Sequence, residues 1–485
     1  MFVLGVDVGT QGARALIASL HGEILSEAHA DFPPSQVAPS ETGRFEQNPH
    51  LWREAAWDVI AAAVHDFREA DRDPQEIAAL AVTSTSGTLC LVDEAGEPVG
   101  PAIMYSDTRA GAEAEEVQAA GAKLAQKLGT RFSPSFALSR LRWLQHHQPE
   151  RLDRARWFTS PTDLVIGWLS GEWGNSDWTN MLKWGYDVVD LQWPAFIEEK
   201  LGLPMEKFPT VQRPGEAMGR VTSAVSERTG LSTETLVVSG ATDGTASLLA
   251  SGAAAPGDWN STLGTTLVLK GVSESLLRDP LGRIYCHRHP DGYWLPGGAS
   301  STGADCLAQR FDAQRFPQLN VEARRHTPTD LLIYPLMRRG ERFPFQKPEA
   351  MGFMLGETED EGALFAAHLE GLAYVERLAY QVVRDLGAPV GDTIYAAGGG
   401  TCSATGLQIR ADVLGKRLRV PQTPAGAMGA AILAARAAGY DGVVEATKKM
   451  VHYRQTVEPR RSLAPAYEAR YRRFLQACRE RGYLV

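Results

Sequence analysis

The sequence predicts an α/β protein made of two large domains of similar design. Three observations carry this. The chain opens with strand-like runs joined by tight turns, and Asp7-Val8-Gly9-Thr10 sits at the first turn. From about residue 235 the pattern restarts, and residues 261–271 give a second strand, Gly-Thr turn and strand. Strand-like and helix-like segments alternate through the rest. A length of 485 residues accommodates two such domains. We place them at residues 1–248 and 249–485, with a ligand cleft expected between two facing halves.

The elements follow in order. Residues 2–6 (FVLGV) are an apolar run read as a buried strand. Residues 13–20 and 22–32 read as the next two strands, with His21-Gly22 as their turn. Asn48-Pro49 starts a helix, since proline suits the first helical position. Trp52, Ala56, Val59, Ile60, Ala63 and Phe67 recur at helical spacing and define its buried face. Strands are predicted at 77–84 and 88–93, and helices near 109–128 and 136–147. Residues 235–247 read as a strand running into a glycine turn. Residues 425–440 read as a small-residue helix, and the C-terminal region as a charged helix.

Bulk properties narrow the function. A formal net charge of −9 argues against nonspecific binding to nucleic acid or to an anionic membrane. Hydrophobic content of 44% with 22% charged residues suits a globular core. The cysteines at 90, 286, 306, 402 and 478 form no C-x-x-C pair, so neither a zinc site nor a disulfide framework is indicated. No apolar stretch approaches the ~20 residues of a membrane helix. Asp7 interrupts the first apolar run, which therefore does not read as a signal peptide. The expectation is a cytoplasmic protein, monomeric or homodimeric, acting on a small molecule.

Four glycine-rich turns carry the candidate chemistry. At Asp7-Val8-Gly9-Thr10 the glycine lets backbone N–H groups approach phosphate oxygens, and the carboxylate can hold Mg²⁺ through its water shell. An ordinary Asp-Gly turn is the alternative. Gly264-Thr265-Thr266 is the matching turn of the second half. Asp243, between an apolar strand and a glycine, is placed either as a catalytic base or as a helix cap. Gly398-Gly399-Gly400 follows a strand and either lets a flat ligand lie on the backbone or is only a strand-to-helix turn. No P-loop and no G-x-G-x-x-G occurs. Tyr105-Ser106-Asp107-Thr108-Arg109 reads as a surface ion pair near a helix start. His287 and His289 read as surface or internally satisfied histidines.

Taken together these motifs resemble the FGGY family of carbohydrate kinases over nearly the whole chain. The resemblance rests on Asp7 to Thr10, on Glu46-Gln47-Asn48-Pro49, and on residues 103–109 against the family's W-x-D-x-R stretch. It continues through Asp243, through Gly264 to Thr266, and through Pro335 with Gly340-Glu341-Arg342 and Pro344. Glu370-Gly371-Leu372-Ala373 and then Gly398 to Gly400 with Ser403, Gln408, Ala411 and Asp412 complete it. The chain departs from the family at Arg140, Gly406 and Ala425, where lysine, tryptophan and glutamate are usual.

The resemblance implies two ribonuclease-H-like (actin-like ATPase) domains with an interdomain cleft, closing on ATP and a sugar. It implies that Gly9, Thr10, Gln11, Arg14, Gly264, Thr265 and Thr266 serve the phosphates, and Gly399, Gly400 and Ser403 the adenosine. Asp7 and Asp243 would hold Mg²⁺. Asp243 would be the base, with Ser86, Asp107 and Arg109 beside it on the sugar. Residues 83–88 (TSTSGT) lack the histidine of the S-G-Q-M-H-G stretch of many xylulose kinases and look more like a D-ribulose kinase branch. Residues 12–14 and 162–187 point the same way. The expected activity is therefore phosphorylation of the terminal hydroxyl of a ketopentose, D-ribulose before D-xylulose. A nucleotide-driven sugar sensor is the reading from another class.

Overall fold

The computed structural model describes residues 1–37 and 43–484. Two units emerge. One comprises Met1–Ala250, His287–Gly292 and Thr423–Val451, and the other Ser251–Cys286, Tyr293–Gln422 and His452–Val485. The units are thus not the two continuous segments, 1–248 and 249–485, expected from the sequence. The helix Gly426–Gly439 is the physical reason. Its first ten residues are all Ala, Gly, Met, Ile or Leu and all buried, so it needs cover on more than one face. It packs on the strands Phe2–Val8 and Ile77–Ser84. A Cβ on Gly5 would fall 1.8 Å from the Ala427 carbonyl oxygen, and one on Gly429 2.0 Å from that of Ala246. The helix therefore lies directly against backbone.

The main sheet of the first unit runs in the order Ala217–Arg220, Leu236–Thr242, Ile77–Ser84, Phe2–Val8, Gly12–Ser19, Ile24–Asp31. Its last three strands form an antiparallel meander, with Asp7 opposite Arg14 and Arg14 opposite His29. Phe2–Val8, Ile77–Ser84 and Leu236–Thr242 are mutually parallel. Parallel strands covered on both faces read as continuous apolar runs, as Val3, Leu4 and Val6 do beside Leu80, Ala81 and Val82, all fully buried. The helix Pro49–Glu69 covers one face through Trp52, Ala56, Val59, Ile60, Ala63 and Phe67, and Asn48 caps it. Because the strands are parallel, Val8, Ser84 and Thr242 come out at one edge, Ser84 level with both others. Ligands of open α/β sheets bind at that carboxyl edge.

The second unit repeats the plan. Trp294–Ala299, Leu267–Gly271, Trp259–Leu263, Thr393–Ala397, Arg417–Pro421 and Tyr453–Val457 are successive neighbours in its sheet. Trp259–Leu263 and Leu267–Gly271 are an antiparallel hairpin, and Trp259–Leu263, Thr393–Ala397 and Arg417–Pro421 run parallel. Two local expectations change. Residues 243–247 are no glycine turn, since the helix Asp243–Ser251 starts directly at the strand end. The strand Tyr453–Val457 was not foreseen, its short sheet-edge sequence giving little signal. No helix among the described residues is long and apolar enough to cross a membrane.

Candidate active site

The first turn is built by its neighbours. Gly9 N donates to Gly12 O at 2.9 Å and closes the hairpin. Gln47 Nε2 donates to Thr10 O at 2.8 Å, while Gln47 Oε1 accepts from Trp52 Nε1 at 3.0 Å. The Glu46-Gln47-Asn48-Pro49 segment therefore does more than start a helix, since it anchors the turn. Asp7, Gly9, Thr10, Gln11, Arg14, Asp31 and Tyr105 line an open pocket of about 470 Å³. A Cβ on Gly9 would meet nothing closer than 3.6 Å, so protein packing does not require glycine there. The space is left on the pocket side.

Burial pushes the Asp7 carboxyl up to about 6. The charge of Asp243 adds to the rise and Arg14 opposes it. Two carboxylates that disfavour each other's ionisation are a natural pair for a cation. Among the described residues no group of three or more His, Cys, Asp or Glu forms a metal cage. The pair instead suits Mg²⁺, which takes one or two carboxylates and fills its remaining positions with water and phosphate oxygens. Gly426 is part of this corner, since a Cβ there would fall 2.4 Å from Asp7 Oδ2. Ala425, one of the departures from the family pattern, is the N-cap of that helix and so lies in the first unit.

Asp243 heads its helix, and its Oδ1 accepts from Gly244 N at 2.7 Å. The local expectations of strand-end acid and helix start therefore coexist. Lys183 is within electrostatic reach of Asp243. Burial and the nearby Arg140 push its ammonium down to about 8, while Asp243 pulls it back up. Lys183 Nζ donates to Ser86 O at 3.2 Å. The Ser86 hydroxyl is buried with no hydrogen-bond partner among the described residues. Ser86, Lys183 and Asp243 thus form one polar corner. Thr85 and Thr88 join hydroxyls at 2.9 Å, and Thr88 Oγ1 accepts from Tyr105 N at 3.2 Å.

Asp107 and Arg109 come together, but not as free sugar ligands. Asp107 Oδ1 accepts from Arg109 N and Nε at 3.0 and 2.9 Å, and Oδ2 from Arg109 Nη2 and Phe45 N at 2.7 and 2.8 Å. Those hydrogen bonds hold the Asp107 carboxyl below its usual range against the opposing effect of burial. Arg109 also pairs with Glu46 at 2.7 Å and lies over the Trp143 ring. It is a buried clamp rather than a surface ion pair. Arg140 is fully buried and donates from Nη1 to Met104 O at 2.6 Å. Its Nε and Nη2 have no partner among the described residues. His287 and His289 are buried, not surface groups. His289 accepts from Asp291 N at 2.9 Å, and burial pushes it down to about 4.

The second unit holds the remaining predicted residues. Gly264 N donates to Thr266 O at 3.0 Å, and a Cβ on Gly264 would have 3.9 Å of clearance. Thr265 is exposed at the tip. After Thr393–Ala397, a Cβ on Gly398 would fall 2.6 Å from Leu263 O and one on Gly400 2.7 Å from Leu263 Cδ2, whereas one on Gly399 would meet nothing within 4 Å. The glycine run therefore packs on the Gly264 hairpin and leaves its middle residue open. Ser403 caps the helix Ala404–Leu414 by accepting from Gly406 N at 2.8 Å and donates to Asn320 Oδ1.

Model matches decide the family. The model for the N-terminal domain of the FGGY family of carbohydrate kinases matches residues 2–250, and that for its C-terminal domain matches residues 260–438. The chain belongs to the FGGY family of carbohydrate kinases. It is similar to a xylulose kinase of Streptomyces coelicolor, at 30% identity across 89% of this chain and 87% of the relative. A gluconokinase of Bacillus subtilis is 23% identical across 94% of this chain and 91% of its own. The crystal structure of xylulose kinase from Rhodospirillum rubrum superposes with a TM-score of 0.86 at 26% identity, covering 99% of both chains. The FGGY chain is thus a sugar phosphotransferase with the two-domain, actin-like ATPase fold.

Lys183 and Gly426 escaped the sequence reading. Lys183 is a single cation within Met181-Leu182-Lys183-Trp184, whose other members are buried. A lone charge in an apolar run was the available signal. Gly426 reads from sequence as one more small residue in a small-residue helix.

Proposed function

We propose that this FGGY kinase transfers the γ-phosphoryl group of MgATP to the terminal hydroxyl of a ketopentose, D-ribulose before D-xylulose. The observation that carries the chemistry is Asp243 at a strand end, electrostatically linked both to Asp7 and to Lys183. The acceptor hydroxyl oxygen attacks the γ-phosphorus as Asp243 takes its proton. The bond between γ-phosphorus and the bridging oxygen breaks, and ADP leaves. Gly9, Thr10, Gln11 and Arg14 in one unit, and Gly264, Thr265 and Thr266 in the other, supply phosphate donors. Gly399, Gly400 and Ser403 serve the adenosine. Asp7 and Asp243 would hold Mg²⁺, which would supply neutralisation of the phosphate charge. Ser86 and Lys183 take the sugar side. Asp107, whose acceptor positions are filled, keeps Arg109 in place. Such transfer depends mainly on positioning and electrostatics.

The preference for D-ribulose rests on residues 83–88, where threonine and serine hydroxyls stand without an imidazole. The names of the relatives favour D-xylulose. The test is sugar-dependent ADP release with MgATP across D-ribulose, D-xylulose, L-ribulose, L-xylulose, ribitol, xylitol, glycerol and gluconate. The highest kcat/KM with D-ribulose supports the reading. D-Xylulose in first place overturns the sugar and leaves the chemistry standing. Sugar binding without ADP release would favour the sensor.

A further inference from the structure

The strand Leu236–Thr242 loses one of its neighbours before it reaches Asp243. Ala217–Arg220 pairs with it only as far as Val238, while Ile77–Ser84 continues along its other side to Thr242. At the end of the strand a side chain replaces the missing neighbour, and Thr242 N donates to Thr179 Oγ1 at 3.0 Å. The direction of that bond is fixed from behind. Thr179 spends its hydroxyl proton on Asp177 Oδ1 at 2.5 Å, so its lone pairs are left for Thr242. Asp177 Oδ1 also accepts from Thr179 N at 2.7 Å and Asn180 N at 3.1 Å, and Asp177 Oδ2 from Asn180 Nδ2 at 2.5 Å. Asp177, Thr179, Asn180 and Thr242 are all buried.

Helix capping accounts for only part of this. Asp177 is the N-cap of the short helix Trp178–Met181, which explains the two backbone amides it accepts. A cap requires neither a threonine hydroxyl turned toward Asp177 nor an amide from a strand 63 residues away. We propose that Thr179, oriented by Asp177, is a positioning residue for Asp243. The proposal rests on Asp243 being the base.

At the far end of the relay is the Asp177 carboxyl, which burial pushes up; its Oδ1 fixes the direction of the Thr179 hydroxyl and leaves the hydroxyl lone pairs for the Thr242 amide. Without the hydroxyl, Thr242 N–H is a buried donor with no acceptor, and such a group moves to find one. The next residue is Asp243. A shift of about 1 Å in a catalytic group costs about 100-fold in rate. Sugar binding, which uses Ser86 and Lys183, should hardly respond.

The test compares Thr179→Val, which keeps the shape and removes the hydroxyl, with Thr179→Ser, which restores it. Each is made in the wild-type chain and with Asp243→Asn. Thermal unfolding, kcat, and KM for sugar and MgATP are measured. We expect Thr179→Val to lower kcat by about 10- to 100-fold with KM for sugar within about 3-fold of wild type. Thr179→Ser should recover most of the loss. With Asp243→Asn present, Thr179→Val should cost almost nothing further, since groups acting as one unit are not additive. A kcat near wild type in Thr179→Val overturns the proposal. So does a serine variant as poor as the valine one, or a full additional loss on top of Asp243→Asn. If the valine variant does not fold, Thr179→Ala carries the test, and wild-type kcat in it overturns the relay. Asp243→Asn alone separates the two claims. If that variant keeps its turnover, the assignment of the base fails first. If it loses turnover while Thr179→Val keeps it, only the relay fails.

Discussion

The hairpin around Gly9 and the hairpin around Gly264 are built alike and equipped differently. Each joins two antiparallel strands, the first of which pairs in parallel with a later strand. Each glycine donates its amide across the turn, to Gly12 in one case and to Thr266 in the other. Two residues before the glycine, the first hairpin has Asp7 and the second has Thr262. The aspartate shares a charge problem with Asp243. The threonine hydroxyl instead donates to Asn260 Oδ1 at 2.8 Å, a neutral internal bond. The strands that follow also diverge. Ile77–Ser84 leads into threonines and serines, and Thr393–Ala397 into three glycines. One backbone plan thus carries ionic chemistry and hydroxyl contacts in the first unit, and open backbone in the second.

The sharpest way to break this division is Asp243→Asn. If ionic chemistry belongs to the first unit, this variant keeps its unfolding temperature and loses about 10²–10⁴-fold in kcat, the range of a lost general base. Turnover near normal would remove Asp243 from the role.

A smaller effect is expected at Asp7, and its sign is set by the raised carboxyl. The folded chain holds this proton more tightly than the unfolded one. Stability from this group is therefore complete below the ordinary carboxylate range and declines as pH rises toward about 6. Asp7→Asn removes the decline. Without nucleotide the variant should unfold at a higher temperature than wild type at pH 8, with a smaller difference at pH 4. Catalysis goes the other way. Asp7→Asn should raise the Mg²⁺ requirement, and wild-type kcat/KM should fall as pH drops through about 6. Thr262→Val should do neither, because no charge is lost. A thermal melt series across pH decides it. An unchanged melting difference between pH 4 and pH 8 would show that Asp7 carries no such strain.

Much of this division could be read from residue order, because it depends on local pattern. Apolar runs ending in Asp-x-Gly-Thr or Leu-Gly-Thr mark both hairpins, and Trp52 to Phe67 marks the helix that covers the first sheet. The unread part depends on contacts distant in sequence. Nothing near residue 426 signals that its helix must lie on Gly5 and begin against Asp7. The pairing of Asp107 with Arg109 was visible, but its closure by Phe45 and Glu46 was not, so a filled carboxylate looked like a free one. Lys183 reaches Ser86 from 97 residues away. Asp243 was ambiguous locally because a helix start and a catalytic strand end place the same residue type at the same point.

The smallest expected effect tests the open backbone of the second unit, within a single glycine run. Gly398 has φ +82°, and a Cβ there would fall 2.6 Å from Leu263 O. Gly398→Ala is therefore strained by backbone conformation and blocked by backbone atoms. It should lower the unfolding temperature, with about 1–3 kcal/mol from this backbone conformation alone, which at ψ 175° is open almost only to glycine. Gly399 lacks both constraints, since its Cβ would meet nothing within 4 Å. If glycine is present there only to leave room for adenosine, Gly399→Ala should melt like wild type and raise KM for ATP, with KM for sugar unchanged. Paired melts and ATP titrations of the two variants separate packing from binding. An ATP KM unmoved by Gly399→Ala would mean that the nucleotide does not approach this backbone, and the adenosine assignment of the glycine run would fall with it.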